Sequence, residues 1–195
     1  GTKFLTLLAA LLLMKAANAF ACTHILVTKG ASKDGSVMVT YAADAHTLYG
    51  ELYHTPAGLF PKGSILKVFE WDTGKFMGEI AQIEKTFSTM GNMNEHQLII
   101  TETTFGGREE LTDTTGIIDY GSLIYITLQR ARTAREAISV MASLVEEYGY
   151  ASGGETFSIA DKEEVWIMEM VGKGTKLNKK GVNVNKGAVW VAVRI

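Results

Sequence analysis

The hydrophobic pattern opens with two short runs of β-branched and apolar residues, 22–28 (CTHILVT) and 36–42 (SVMVTYA). The turn-forming stretch 29–35 separates them, which predicts an antiparallel hairpin. Further strands are predicted over 65–71, 80–88 and 97–102, and again over 155–160, 165–171 and 188–195. A helix is predicted over 119–130. The helix after it is better marked, because Thr133 and Glu136 form a T-x-x-E capping box. Ile138, Met141, Val145 and Tyr148 follow at helical spacing, and Gly149 is placed to end it in a left-handed conformation. Strands, then two helices, then strands predict an α+β domain rather than alternating βαβ units. Between two late strands, 172–187 carries five lysines and three asparagines. It reads as a solvated loop or hairpin, with a basic binding site as the alternative. The chain stops inside an apolar strand at 191–195, so the natural protein is expected to continue.

Composition places this pattern in one globular domain: 195 residues, 47% hydrophobic and 21% charged. A net charge of -2 gives no reason to expect a nucleic-acid partner. Residues 1–21 have the layout of a secretory signal peptide. Lys3 is the basic residue, 4–14 is an apolar run broken only by Thr6, and Ala19-Phe20-Ala21 is an Ala-x-Ala cleavage site. The run is shorter than the roughly 20 residues a membrane span needs, and a buried helix is the alternative. On this reading the mature chain is 22–195. It is exported to the periplasm or the extracellular space and is not held in a membrane once the leader is gone.

The chain has one cysteine, Cys22, directly after the cleavage site. Exported proteins usually pair their cysteines, so a single one is either an intermolecular link or a reactive thiol. At a mature N-terminus the thiol and an α-amine share one residue. The thiolate is the nucleophile, and the amine titrates near pH 7.7–8, close enough to neutrality to take the thiol proton. Two alternatives remain. Cys22 can be a lipid-anchored residue, although Ala19 and Phe20 fit a lipoprotein signal poorly, or an inert buried cysteine.

The stretches CTHILVTKGASKDGSVMV, MGNMNEHQLIITETTFGGREEL, TAREAISVMASLVEEYG and GETFSIADKEEVWIMEMVGKG occur in one order. In that order they resemble the bacterial N-terminal-nucleophile cysteine dipeptidases, as does the closing VWVAVRI. The resemblance implies a four-layer αββα sandwich, of which 22–195 is the N-terminal part. It also implies hydrolysis of short peptides through a thioester on Cys22, with the α-amine of Cys22 as base. It puts Asp44 beside the N-terminal cysteine to orient its amine. Asn94 falls in the family's Asn-Glu pair, and Thr104 where related acylases have an oxyanion-hole asparagine. The alternatives are a turn cap for Asp44 and ordinary turn or loop residues for Asn94 and Thr104. Many family members carry an Arg-Asn pair where this chain has Tyr41 and Ala42, which removes a guanidinium able to clamp a substrate carboxylate. In the loop 105–108, Arg108 is a candidate for that contact, with a plain β-connection as the alternative.

His24, His46, His54 and His96 form no H-x-x-x-H or H-E-x-x-H pair, so they read as turn or surface residues and not metal ligands. Gly172-Lys173-Gly174-Thr175 lacks the spacing of a phosphate loop. No cofactor or metal is expected. The other functions left open are an amidase acting on N-acyl amines and a lipoprotein anchored through Cys22. A homo-oligomer is also open.

Overall fold

The computed structural model describes residues 22–44 and 50–195. The expected leader and His46 lie outside the described residues. The chain forms β1 (Thr23–Val27), β2 (Met38–Ala42), β3 (His54–Thr55), β4 (Gly58–Leu59), β5 (Ile65–Phe69), β6 (Phe76–Ala81), β7 (Lys85–Thr86), β8 (Thr89–Met90), β9 (Met93–Asn94) and β10 (Ile99–Gly106). A 3-10 turn at Glu109–Leu111, helices α1 (Tyr120–Leu128) and α2 (Ala134–Tyr148), and strands β11 (Gly154–Ala160), β12 (Val165–Gly172) and β13 (Ala188–Arg194) complete it. The class is α+β, as the order of elements predicts.

A seven-stranded antiparallel sheet in the order β13-β12-β11-β10-β9-β8-β3 is the scaffold, with β1-β2, β4-β7 and β5-β6 as separate pairs. Alternation along its strands sorts the two faces. Ile100, Phe157, Ile159, Met168 and Met170 point to one side and share a core with Leu123, Leu128, Met141 and Val145 of the helices. On the opposite side, Thr101, Thr103 and Ser158 receive His24 from the β1-β2 hairpin. The result is helices, sheet and hairpin in three layers, with the hydrophobic core between the first two.

Both helices begin where the sequence marks them. Asp119 caps α1, accepting from the Ser122 N–H at 3.0 Å and from the Trp71 N–H at 2.8 Å. Thr133 caps α2 by accepting from the Glu136 N–H at 3.2 Å, while Glu136 reaches back to the Arg132 N–H at 2.8 Å. Gly149 ends α2 at φ +81°, where a Cβ would come within 2.9 Å of the Gly116 backbone. Glu164 then joins three elements, accepting from Arg135 on α2, Trp166 on β12 and Arg194 on β13.

Two strand expectations are corrected. The run 80–88 is not one strand. β6 ends at Ala81 and pairs with β5, and β7 pairs with β4. Thr86 and Phe87 are buried in succession, which an alternating strand cannot do, and the Phe87 N–H bonds the Gln129 carbonyl at 2.9 Å below α1. The strand expected over 97–102 begins at Ile99 and runs on to Gly106, because β11 supplies ladder partners as far as Gly154.

Asn94 anchors the turn before β10. Its amide donates to the Leu128 and Ala131 carbonyls, both at 2.7 Å, and its oxygen accepts from the His96 N–H at 3.0 Å and the Leu98 N–H at 3.1 Å. This bracket ties the sheet to the end of α1. Asn94→Ala strands these buried groups and is expected to destabilise the protein by about 3 kcal/mol, read by urea unfolding.

Candidate active site

The β1-β2 hairpin is fixed to the sheet through His24. Its Nδ1 lies 3.0 Å from Ser158 Oγ and 3.2 Å from Thr101 Oγ1, and its Nε2 lies 3.1 Å from Thr103 Oγ1. Burial lowers its pKa, which favours the neutral ring. His24 is therefore not the turn or surface histidine that its sequence context suggests. It is a half-buried anchor, and Tyr41, its cross-strand partner, packs edge-on against it at 5.0 Å.

This anchoring delivers two side chains to Glu102. Among the described residues, β10 beyond Ile100 has no strand neighbour on the β9 side, and Cys22 and Tyr41 reach Glu102 past that open edge. Cys22 Sγ lies 3.8 Å from Glu102 Oε1, and the Tyr41 hydroxyl donates to the same oxygen at 2.9 Å. Burial pushes the Cys22 thiol up, the Glu102 charge adds to this, and the Asp44 main-chain N–H opposes them. Tyr41 is pushed up for the same two reasons. The resting sulfur is thus a protonated thiol that needs a base before it can attack.

Behind Glu102 stands a second acid. Glu155 on β11 is the diagonal cross-strand neighbour of Glu102, and the two are 2% and 5% exposed. The Thr104 hydroxyl sits between them, 3.0 Å from Glu155 Oε1 and 3.4 Å from Glu102 Oε2. Glu155 Oε2 has no hydrogen-bond partner among the described residues. Burial raises the pKa of Glu155, and its contact with Glu102 raises it further. Both effects favour the neutral form of Glu155.

Glu102 and Tyr41 line a cavity of about 340 Å³ whose wall includes Tyr53, Trp71, Tyr120 and Tyr125. Glu51 also faces it, and no Lys or Arg lines it among the described residues. The cavity joins an aromatic wall to an anionic floor, next to the only thiol in the chain.

The residues singled out in the sequence divide accordingly. Cys22 and Tyr41 meet at Glu102. Asp44 lies at the end of the hairpin, its carboxylate accepting from the Thr23 hydroxyl at 2.9 Å. Thr104 contacts the acid pair, with its hydroxyl bonded to carboxylates. The Asn94 side chain bonds main-chain groups at the end of α1 and not Cys22. Arg108 is exposed, donates to Glu110 and does not line the cavity. Glu102 and Glu155 were not found from the sequence. The available signal was a lone acid between β-formers in each strand, I-T-E-T-T and G-E-T-F.

The family model "Peptidase family C69" matches residues 51–195. The chain belongs to that family. Over 173 residues it is 27% identical to "Probable dipeptidase A" of Streptococcus pyogenes serotype M18 (strain MGAS8232), covering 78% of this chain and 35% of that protein. It is 26% identical to "Probable dipeptidase A" of Streptococcus pyogenes serotype M1 over the same shares. The chain spans about a third of the length of these curated relatives. Glu102, Thr104 and Glu155 fall within the C69 match, and Cys22, Tyr41 and Asp44 precede it.

Two outcomes follow from the electrostatics. Iodoacetamide labelling of Cys22 across pH, read by mass, is expected to titrate above the ~8.5 of a free cysteine. Glu102→Gln is expected to move that midpoint down, because it removes a negative charge that opposes the thiolate. Glu155 keeps its proton where the unfolded chain has released it. Its stabilising contribution is whole below the ordinary glutamate range and is lost as pH rises through the raised value. Glu155→Gln is accordingly expected to raise Tm at pH 9 by roughly 2–4 °C and to leave it nearly unchanged at pH 4.

Proposed function

We infer that the protein is a cysteine dipeptidase that works through a thioester on Cys22. The observation that carries this reading is the placement of the chain's single cysteine against Glu102, beside an aromatic cavity, in a member of peptidase family C69. The name dipeptidase A, borne by both relatives, supports the substrate class.

The raised thiol pKa requires a proton acceptor close to the sulfur. Removal of residues 1–21 would free the α-amine of Cys22, which is intrinsically suited to that task. The amine takes the thiol proton and the sulfur attacks the scissile carbonyl carbon. The tetrahedral adduct collapses to a thioester as the C–N bond breaks, and the leaving amine receives the proton from the α-ammonium. Water, deprotonated by the same amine, then cleaves the thioester and regenerates the thiol. Asp44, bonded to Thr23 directly after the nucleophile, is the carboxylate available to hold the α-amine. The leader expected over residues 1–21 would direct the protein to export.

The four-layer αββα sandwich belongs to the same reading. Val189, Val191 and Val193 are 60%, 54% and 56% exposed on β13, and alternation puts all three on the hairpin side of the sheet. An apolar face of this kind suits a second sheet packed against it.

In the full-length protein, Cys22→Ala is expected to abolish dipeptide hydrolysis, with kcat/KM falling by roughly 1,000-fold or more. Intact-mass measurement of the exported protein is expected to give a chain starting with unmodified Cys22. A diacylglyceryl adduct would instead identify a lipid anchor, and undiminished hydrolysis by Cys22→Ala would remove the thiol from the mechanism.

A further inference from the structure

Glu102 has a feature that proton transfer at Cys22 does not use. It is a buried carboxylate that faces a ligand-sized cavity and lies next to the attacking atom. Its Oε1 is 3.8 Å from Cys22 Sγ and accepts one hydrogen bond from Tyr41, and its other oxygen is 3.4 Å from the Thr104 hydroxyl. No Lys or Arg is bonded to it among the described residues, and none lines the cavity. A buried charge without a counter-charge is costly, so this floor is complementary to a cation brought by the ligand.

Covalent geometry fixes which cation. The attacking sulfur approaches the scissile carbonyl carbon at about 3–3.5 Å. In a peptide, the α-nitrogen of the residue that owns this carbonyl is about 2.5 Å from that carbon, from the standard bond lengths and angle. A carboxylate 3.8 Å from the sulfur is therefore within ion-pair reach of that nitrogen. The more distant α-nitrogens or side-chain amines of a longer substrate would fall elsewhere. An N-acyl chain at the same place would bury Glu102 against apolar atoms without a partner. The aromatic side chains of Tyr53, Trp71, Tyr120 and Tyr125 in the cavity wall are also of the kind that accommodates a cationic group.

We propose that Glu102 is the specificity-determining residue of the site, forming an ion pair with the free α-ammonium of the residue whose carbonyl Cys22 attacks. Glu155 acts through it as a positioning residue. It is joined to Glu102 through the Thr104 hydroxyl, which fixes the direction in which Glu102 faces the ligand. Asp44 is assigned to the amine of Cys22 itself, so the two carboxylates hold different ammonium groups. The proposal rests on Cys22 being the nucleophile and names the one residue that reads the unblocked amino terminus of a dipeptide.

The test uses the full-length protein carrying Cys22→Ala, with binding of Ala-Ala and N-acetyl-Ala-Ala compared by calorimetry. Ala-Ala is expected to bind at least ~30-fold tighter, the scale of a desolvated charge pair. Adding Glu102→Gln is expected to bring the two ligands within about threefold of each other. Equal binding, or no binding of either, overturns the role of Glu102. A preference that survives Glu102→Gln does the same, since the anchor then lies elsewhere. Should Glu102→Gln fail to fold, the Cys22→Ala comparison alone still decides whether the site selects a free ammonium. Failure of the nucleophile reading has a different signature, which is hydrolysis of Ala-Ala by Cys22→Ala.

Discussion

Two carboxyl groups buried as diagonal neighbours on adjacent strands, with no cation bonded to either among the described residues, cannot both be charged cheaply. Much of the local chemistry depends on this constraint. Burial and the neighbouring Glu102 raise the pKa of Glu155, and the Tyr41 hydroxyl and the Cys22 thiol turn toward Glu102. Burial first, and Glu102 second, favour the protonated form of both of those groups. An anion beside a thiol is a poor means of making a thiolate and a good means of holding an ammonium. Under the proposed function, activation of the sulfur and recognition of the substrate fall to different groups.

The rest of the fold serves to place that acid pair and bring the hairpin to it. His24 docks on the threonine and serine face of the sheet while Ile100 and Phe157, one residue away on the same strands, enter the helix-packed core. The strict alternation of β10 thus puts the hairpin anchor and the acid on opposite faces. The edge beyond Ile100, open among the described residues, is what lets Cys22 and Tyr41 reach the second face. Asn94 contributes at a distance by locking the turn that feeds β10 to the end of α1.

Much of this was legible in the sequence where the signal is local. The Thr133–Glu136 box, Gly149 and the hairpin runs each act through near neighbours, and each element stands where it was expected. The single cysteine was equally plain as a count and a position. Other features depend on contacts between distant segments and left no periodic trace. His24 resembles a surface histidine until Thr101, Thr103 and Ser158 surround it. Glu102 and Glu155 are 53 positions apart and become a pair only through strand register. Thr86 and Phe87 break their strand because α1 waits beneath them. The family resemblance made Asn94 a candidate for the site, and a loop position made Arg108 one. The structure gives the first to the backbone and the second to solvent.

The central claim is that Cys22 carries the acyl group during turnover, and trapping that intermediate tests it most directly. The full-length protein would be mixed with an alanine ester that forms the acyl-enzyme faster than water removes it. The mixture would be quenched in acid, where thioesters persist, and mapped by peptide mass. The account predicts an alanyl adduct on the peptide that begins at Cys22, lost on treatment with hydroxylamine. An adduct on any other residue, or turnover of the ester with no adduct and an unmodified Cys22, would contradict it.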